Sequence, residues 1–332
     1  MPGKLIVDEI EDSGGTSVIG RKNAIINGNF DIWQRGTSFT ATGYTADRWN
    51  AIVSGTGTTT ISQQSFTLGQ TDVPNEPKYY LRVAKSSGAA SGDYLSSKNE
   101  SVRTFAGQAT VISFYAKASA STTLTPTIRQ NFGTGGSPSS VNDAVKSDIS
   151  VTTSWQKFTI THTFDSISGK TLGTNGNDNI ELFFNIQNGA GDSVDFAQFQ
   201  WEKGTVATNF EVRPIAEELE LCQRYYAKSY NQATAPGTAS TTTGCINYIT
   251  HANSSNGDRS TIFFPQTMRT TPTVTLYSTA TGTSGKIRME NSSTDIDGTA
   301  YYIGESTSNY YLNGTQTTGH NSILQYQADA EL

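Results

Sequence analysis

The chain is short of charge. Only 16% of its 332 residues are Asp, Glu, Lys or Arg, too few for the self-repelling composition of a charged disordered protein. Cysteine and histidine are scarcer still, at two and three. Neither CxxC nor HExxH occurs, so there is no zinc signature, and Cys222 and Cys245 read as free thiols. Basic clusters are missing. The longest run is Arg21-Lys22, and the net charge is −6. Nothing here could displace counterions from a nucleic acid, which is excluded as a partner. No stretch approaches the roughly 18 apolar residues of a membrane helix, so no membrane insertion is expected. The first 22 residues lack the apolar core of a secretory signal. There is no G-x-S-x-G elbow and no phosphate-binding loop, and no carboxylate pair is marked out for glycoside hydrolysis. The expectation is a protein that is not an enzyme.

What remains is Ser, Thr, Asn, Gln and Gly with 15 Tyr and 15 Phe. Thr, Val and aromatics favour strands, while Gly, Asn, Asp and Ser favour turns. The fold class expected is all-β: a jelly-roll β-sandwich, a short helix, then a second C-terminal β-sandwich. The length suits two domains. Residues 1–22 stand apart, with one apolar strip at Leu5, Val7 and Ile10 and another at Val18 and Ile19. A segment this short cannot bury itself, so it is expected to be an anchor that docks on a larger body.

Residues 23–213 read as the first sandwich. Phe158, Ile160, His162 and Phe164 alternate with polar residues, as do Ile180, Leu182, Phe184 and Ile186. This places His162 on an apolar face as a packed histidine. In Ser193–Glu202 the phase shifts between Phe196 and Phe199, which predicts a β-bulge. Residues 214–231 predict a connecting helix with Pro214 at its start, Glu217, Glu218 and Glu220 near its positive end, and an apolar stripe at Ile215, Leu219, Cys222 and Tyr226. Residues 232–243 read as a polar loop or linker at the head of the C-terminal sandwich, 232–332. Strands are expected there at 245–251, 260–264, 273–278, 285–290, 300–305 and 322–329.

Two kinds of binding chemistry are open. Sugars are held by flat aromatic surfaces beside amide and carboxylate groups, and Tyr301, Tyr302, Tyr310 and Tyr311 lie near loops of the second domain. The alternative is that these tyrosines fill its core. Calcium takes six to eight oxygens, and Asn177-Asp178 and the Ser293–Gly298 stretch could contribute some. The alternative is ordinary turns.

Asn23–Gly36 (NAIINGNFDIWQRG) followed by Ala46-Asp47-Arg48-Trp49 resembles the opening of a jelly-roll domain found in phage tail fibre and minor virion structural proteins. Phe199–Gly204 (FQWEKG) and Ala207–Pro214 (ATNFEVRP) resemble its closing strand, and Glu217–Tyr226 (EELELCQRYY) the helix after it. Met268–Val274 (MRTTPTV) and the final Ala328–Leu332 (ADAEL) are similar to the distal end of such proteins. The resemblance implies a carbohydrate-binding-module-like domain in a homotrimer. Related sugar-binding modules carry a structural calcium near the first and last strands, and Asn29, Asp31 and Asp195 stand in the matching region. Asp31 occupies a place where the commonest pattern has Glu.

The function expected is a virion component: a tail fibre or appendage, made in the host cytoplasm, that attaches to host-surface polysaccharide through its distal domain. Its N-terminal segment would hold phage tail or adaptor proteins. A capsid decoration protein or head fibre would share the folds and the anchor without a receptor site. A polysaccharide depolymerase is the third alternative.

Overall fold

Apolar side chains spaced two apart, punctuated by Gly and Asn turns, fold as strands in the computed structural model, which describes residues 22–54, 57–88, 93–250, 259–313 and 318–332. The anchor residues Leu5, Val7, Ile10, Val18 and Ile19 lie outside the described residues, as does His251.

The first unit comprises β1 (Ser38–Phe39), β2 (Gly43–Tyr44), β3 (Trp49–Ile52), β4 (Thr59–Ser65), β5 (Tyr79–Lys85), β6 (Asp93–Glu100), β7 (Ala109–Ala118), β8 (Thr122–Asn131), β9 (Asn142–Val145), β10 (Ile149–Val151), β11 (Gln156–Thr163), β12 (Asn179–Ile186) and β13 (Ser193–Lys203). One sheet runs β1-β4-β5-β13-β7-β11; the other runs β10-β8-β12-β6-β3-β2, with β9 beside β8. Strands distant in sequence are neighbours in both, the interleaving of a jelly-roll-type sandwich. Between the sheets Trp49, Phe114, Phe184, Phe196, Phe199 and Trp201 are buried together. Phe114 and Phe199 stack at 4.8 Å. The expected bulge is present: the pairing of β13 with β7 slips between Ala197 and Gln200, and Gln198 takes φ +51°.

The opening motif is architectural. Asn23 ties β13 at two points, donating to Phe199 O at 2.9 Å and accepting from Trp201 N at 2.9 Å. Gly28 passes so close to β13 that a Cβ would sit 2.1 Å from Phe199 O. Asn27, at φ +57°, bonds the backbone of Ile32 and Asp47.

The predicted helix is cut short. Helix α1 covers Ile215–Gln223, and Tyr226–Lys228 is strand β14. A ladder to the last strand replaces the helical bonds there: Tyr226, Ala227 and Lys228 pair with Asp329, Ala328 and Gln327. Consecutive aromatics suit a half-buried strand better than a helix, and here tertiary pairing outweighs the helical stripe. The remaining strands are β15 (Ile246–Ile249), β16 (Arg259–Phe263), β17 (Thr273–Ser278), β18 (Lys286–Met289), β19 (Thr294–Tyr301), β20 (Thr307–Leu312) and β21 (Asn321–Asp329). β21 is their spine, pairing with β14 and β15 as well as β17 and β18. Strands β18-β19-β20-β16 continue the sheet and fold it over. Ile262, Tyr310 and Leu312 thereby share a core with Leu276, Leu324 and Tyr326.

The two units are welded. Arg48 and Glu331 form an almost fully buried ion pair across the junction. Arg35 reaches Asp329 at 3.1 Å and Glu331 at 3.2 Å. The guanidiniums lie over Tyr225 and Tyr226, at 3.4 and 3.6 Å from the ring centres. Residues 232–243, expected as a loop or linker, form a largely exposed turn-rich loop tied to the fold at several points. The Lys228 ammonium donates to the carbonyls of Gln34, Gln232 and Thr234, and Gln325 donates to those of Thr241 and Thr243.

Candidate functional site: an aromatic sheet face

Alternation in β16, β20 and β19 sorts their side chains into two sets. Inward go Ile262, Ser308, Tyr310 and Leu312. Outward go Arg259, Thr261 and Phe263, which pair with Tyr311, Asn309 and Thr307. Thr299 and Tyr301 lie alongside, opposite Tyr311 and Asn309. The outer face is therefore a three-strand surface carrying aromatic rings among amide, hydroxyl and guanidinium groups. Tyr301 packs 5.2 Å from Tyr311 and 4.7 Å from Tyr302, and the Arg259 guanidinium lies 5.6 Å from the Tyr301 ring centre. Thr261 donates to Asn309 Oδ1 at 3.0 Å.

Phe263 and Tyr302 are 75% and 79% exposed. Tyr302 also holds φ +46°, a left-handed conformation that is unfavourable for a bulky residue and that recurs at binding sites. Rings of this kind offer flat π faces to the C–H faces of a pyranose, while Asn309, Thr261 and Arg259 are placed to meet its hydroxyls.

The structure divides the four predicted tyrosines. Tyr301, Tyr302 and Tyr311 come together at the surface. Tyr310 does not: it is fully buried, and burial pushes its hydroxyl up to about 12. A period of two puts neighbours on opposite faces, so Tyr310 and Tyr311 could not share a role. Arg259, Thr261, Phe263 and Asn309 were not singled out in the sequence. Thr307–Leu312 (TSNYYL) shows no clean polar–apolar alternation, and the strand expected at 300–305 begins at Thr294, so the pairing that brings these residues together was not legible.

The predicted calcium residues are placed as follows. Asn29 donates to Asp31 Oδ2 at 2.9 Å, and Asp31 borders a groove of about 500 Å³ with Trp33, Lys78, Tyr79 and Leu219. Asp195 is held by Arg82 through two bonds of 2.7 and 2.8 Å, with Lys117 at 4.0 Å. Ser293–Gly298 is not an open loop but mostly β19. Asp295 binds Thr281 and Arg288, and Asp297 binds Lys286 at 2.7 Å. Among the described residues no three His, Cys, Asp or Glu side chains gather as a metal site would need.

His162 is half-buried rather than sealed in the core, at the end of edge strand β11. Its ring packs edge-on to Phe164 at 4.6 Å. Both cysteines are free, and Cys222 is buried. Among the described residues no helix is long and apolar enough to cross a membrane.

No protein-family model and no curated protein matches the sequence. Solved structures of similar shape include the enzymatically active domain of tailspike protein 4 from bacteriophage CBA120, at 12% identity and TM-score 0.35. The match covers 55% of this chain and 21% of that one, so it spans about a fifth of the length of that solved domain. Another is the CBM22-1 xylan-binding domain of Xyn10C from Paenibacillus barcinonensis, at 16% identity and TM-score 0.32, covering 52% of this chain and 99% of that one. A third is the N-terminal cellulose-binding domain of Cellulomonas fimi glucanase C, at 14% identity and TM-score 0.33, covering 52% and 98%.

Proposed function

We propose that the chain is a non-enzymatic adhesin of a phage particle, a tail fibre or similar appendage, and that the outer face of β16, β20 and β19 contacts host-surface polysaccharide. The observation that carries this reading is the cluster of Tyr301, Tyr302, Tyr311 and Arg259, with the exposed Phe263 on the same outward face. Exposed rings on a strand surface cost solvation, and their gathering beside hydrogen-bonding side chains suits a stacked sugar chain. The sequence resemblance of Asn23–Gly36 and Ala207–Pro214 to virion jelly rolls supports the particle context and a homotrimer. Weak contacts of this sort become useful when linked copies engage together, because the second and third bind at high effective concentration.

Affinity electrophoresis tests the reading. The protein is run through gels containing purified bacterial surface polysaccharides, including capsular and O-antigen preparations. At least one should retard the wild type, and Tyr301→Ala or Phe263→Ala should restore free mobility while keeping the circular dichroism spectrum. Retardation unchanged in both variants, or absent from every gel, would overturn the assignment of this face.

A further inference from the structure

The loop that follows β14 is fastened differently in its two halves. The second half has backbone ties. Ser240 N donates to Ala280 O at 3.0 Å and Thr241 N to Thr279 O at 2.9 Å, and Gln325 donates to the carbonyls of Thr241 and Thr243. The first half hangs on a single side chain. Among the described residues, the hydrogen bonds that tie 232–236 to anything outside the loop converge on Lys228 Nζ, which donates to Gln232 O at 2.9 Å and Thr234 O at 2.7 Å. Its third N–H goes to Gln34 O of the first sandwich at 2.5 Å.

An ammonium has three N–H donors and no lone pair, and here each donor has its own carbonyl. A neutral amine has two donors and a lone pair, so one carbonyl of the three must lose its bond. The acceptors are not equally free to leave. Gln34 is fully buried, and its side chain is fixed by Asp47 at 2.5 Å and by Tyr226 O at 2.8 Å. Stranding its carbonyl carries the full cost of an unmet buried acceptor. Gln232 is exposed, and water can take over its carbonyl. Loss of the proton therefore falls on the loop.

The charges around the ammonium are few. Lys228 is 5% exposed. Burial draws it down from 10.5 to about 8, Asp47 pulls it back up, and Arg35 pushes it down. Arg35 is itself held by Asp329 and Glu331 and lies over the Tyr226 ring. Residues 232–243 contain no charged side chain. What the loop covers is the groove of about 500 Å³ beside α1. Gln232 and Ala233 form one wall, facing Ile215 and Leu219 of the helix and Trp33 and Tyr79 of the first sandwich.

We propose that Lys228 is a proton-operated clasp: its ammonium holds Gln232 and Thr234 against Gln34, and loss of the proton frees the first half of the loop and opens the groove beside α1.

Nitroxide labels read the two halves separately by electron paramagnetic resonance. One is attached at Ala233→Cys and the other at Thr242→Cys, both exposed positions. Each is made in the full chain with Cys245→Ser, since Cys222 is buried. Between about pH 7 and 9.5 the Ala233 label should at least double its tumbling rate, with a midpoint near pH 8, while the Thr242 label holds steady. Lys228→Met cannot donate, so it should free the Ala233 label at both ends of the range. The proposal is overturned if the Ala233 label is unchanged across the range with Lys228 in place, if both labels loosen together, or if the pH step survives in Lys228→Met. The first two outcomes are read with the native lysine and stand whether or not the Met variant folds.

Discussion

Glu331, past the end of the last strand, pairs with Arg48 from the first sandwich, and both side chains are almost fully buried. Around them Arg35 and Lys228 face Asp47 and Asp329. Three cations thus meet three carboxylates at the junction. Removing one partner of a buried pair leaves an uncompensated charge, at a cost of about 3 kcal/mol or more. Glu331→Gln should therefore lower stability by about that amount. In wild type the two sandwiches should melt in one calorimetric transition, and in the variant they should separate into two.

A second prediction concerns pH. Lys146 donates from Nζ to Nδ1 of His162 at 3.0 Å. Burial first, and then this ammonium, push the imidazole from 6.5 down to about 4, against a pull from Asp165. The unfolded chain thus binds a proton that the fold refuses. The contribution of His162 to stability should fall as pH drops from 6.5 to about 4 and then level off. The half-exposed site makes the effect small. His162→Gln should flatten that part of the curve, measured as melting temperature against pH.

Tyr310 and Tyr302 should separate stability from binding. Tyr310→Ala empties a core position and should cost about 3 kcal/mol in urea unfolding. Tyr302→Ala, on an exposed side chain, should stay within about 0.5 kcal/mol and should affect only retardation by polysaccharide.

Gly28→Ala tests the close approach to β13. The added methyl meets Phe199 O, so backbone must move and the Phe199 N–Gly28 O bond of 2.8 Å must stretch. A loss of about 2 kcal/mol or more is expected, read from thermal unfolding.

Chelation should leave the melting temperature unchanged. Asp195, Asp295 and Asp297 already have cationic partners among the protein's own side chains. A drop of several degrees with EDTA, restored by calcium, would refute this.

The sandwich strands were legible because alternation is local, and the phase slip from Phe196 to Phe199 even disclosed the bulge. The end of the helix was not. Tyr226 fits a helical stripe as well as a strand, and the difference lies in its ladder to Asp329, a hundred residues away. The aromatic face was half legible for the same reason. Tyr301, Tyr302 and Tyr311 stood out by composition, but Arg259 and Phe263 join them only through pairing across β16 and β20.

The central place of β21 has a consequence for how the molecule is made. Four other strands lean on residues 321–329, so a ribosome must deliver the chain through Asp329 before the second sheet can close. Until then β14, β15, β17 and β18 wait with open edges, exposed to wrong pairing. A nascent chain stalled short of Asn321 should therefore carry a finished first sandwich and an unassembled second one.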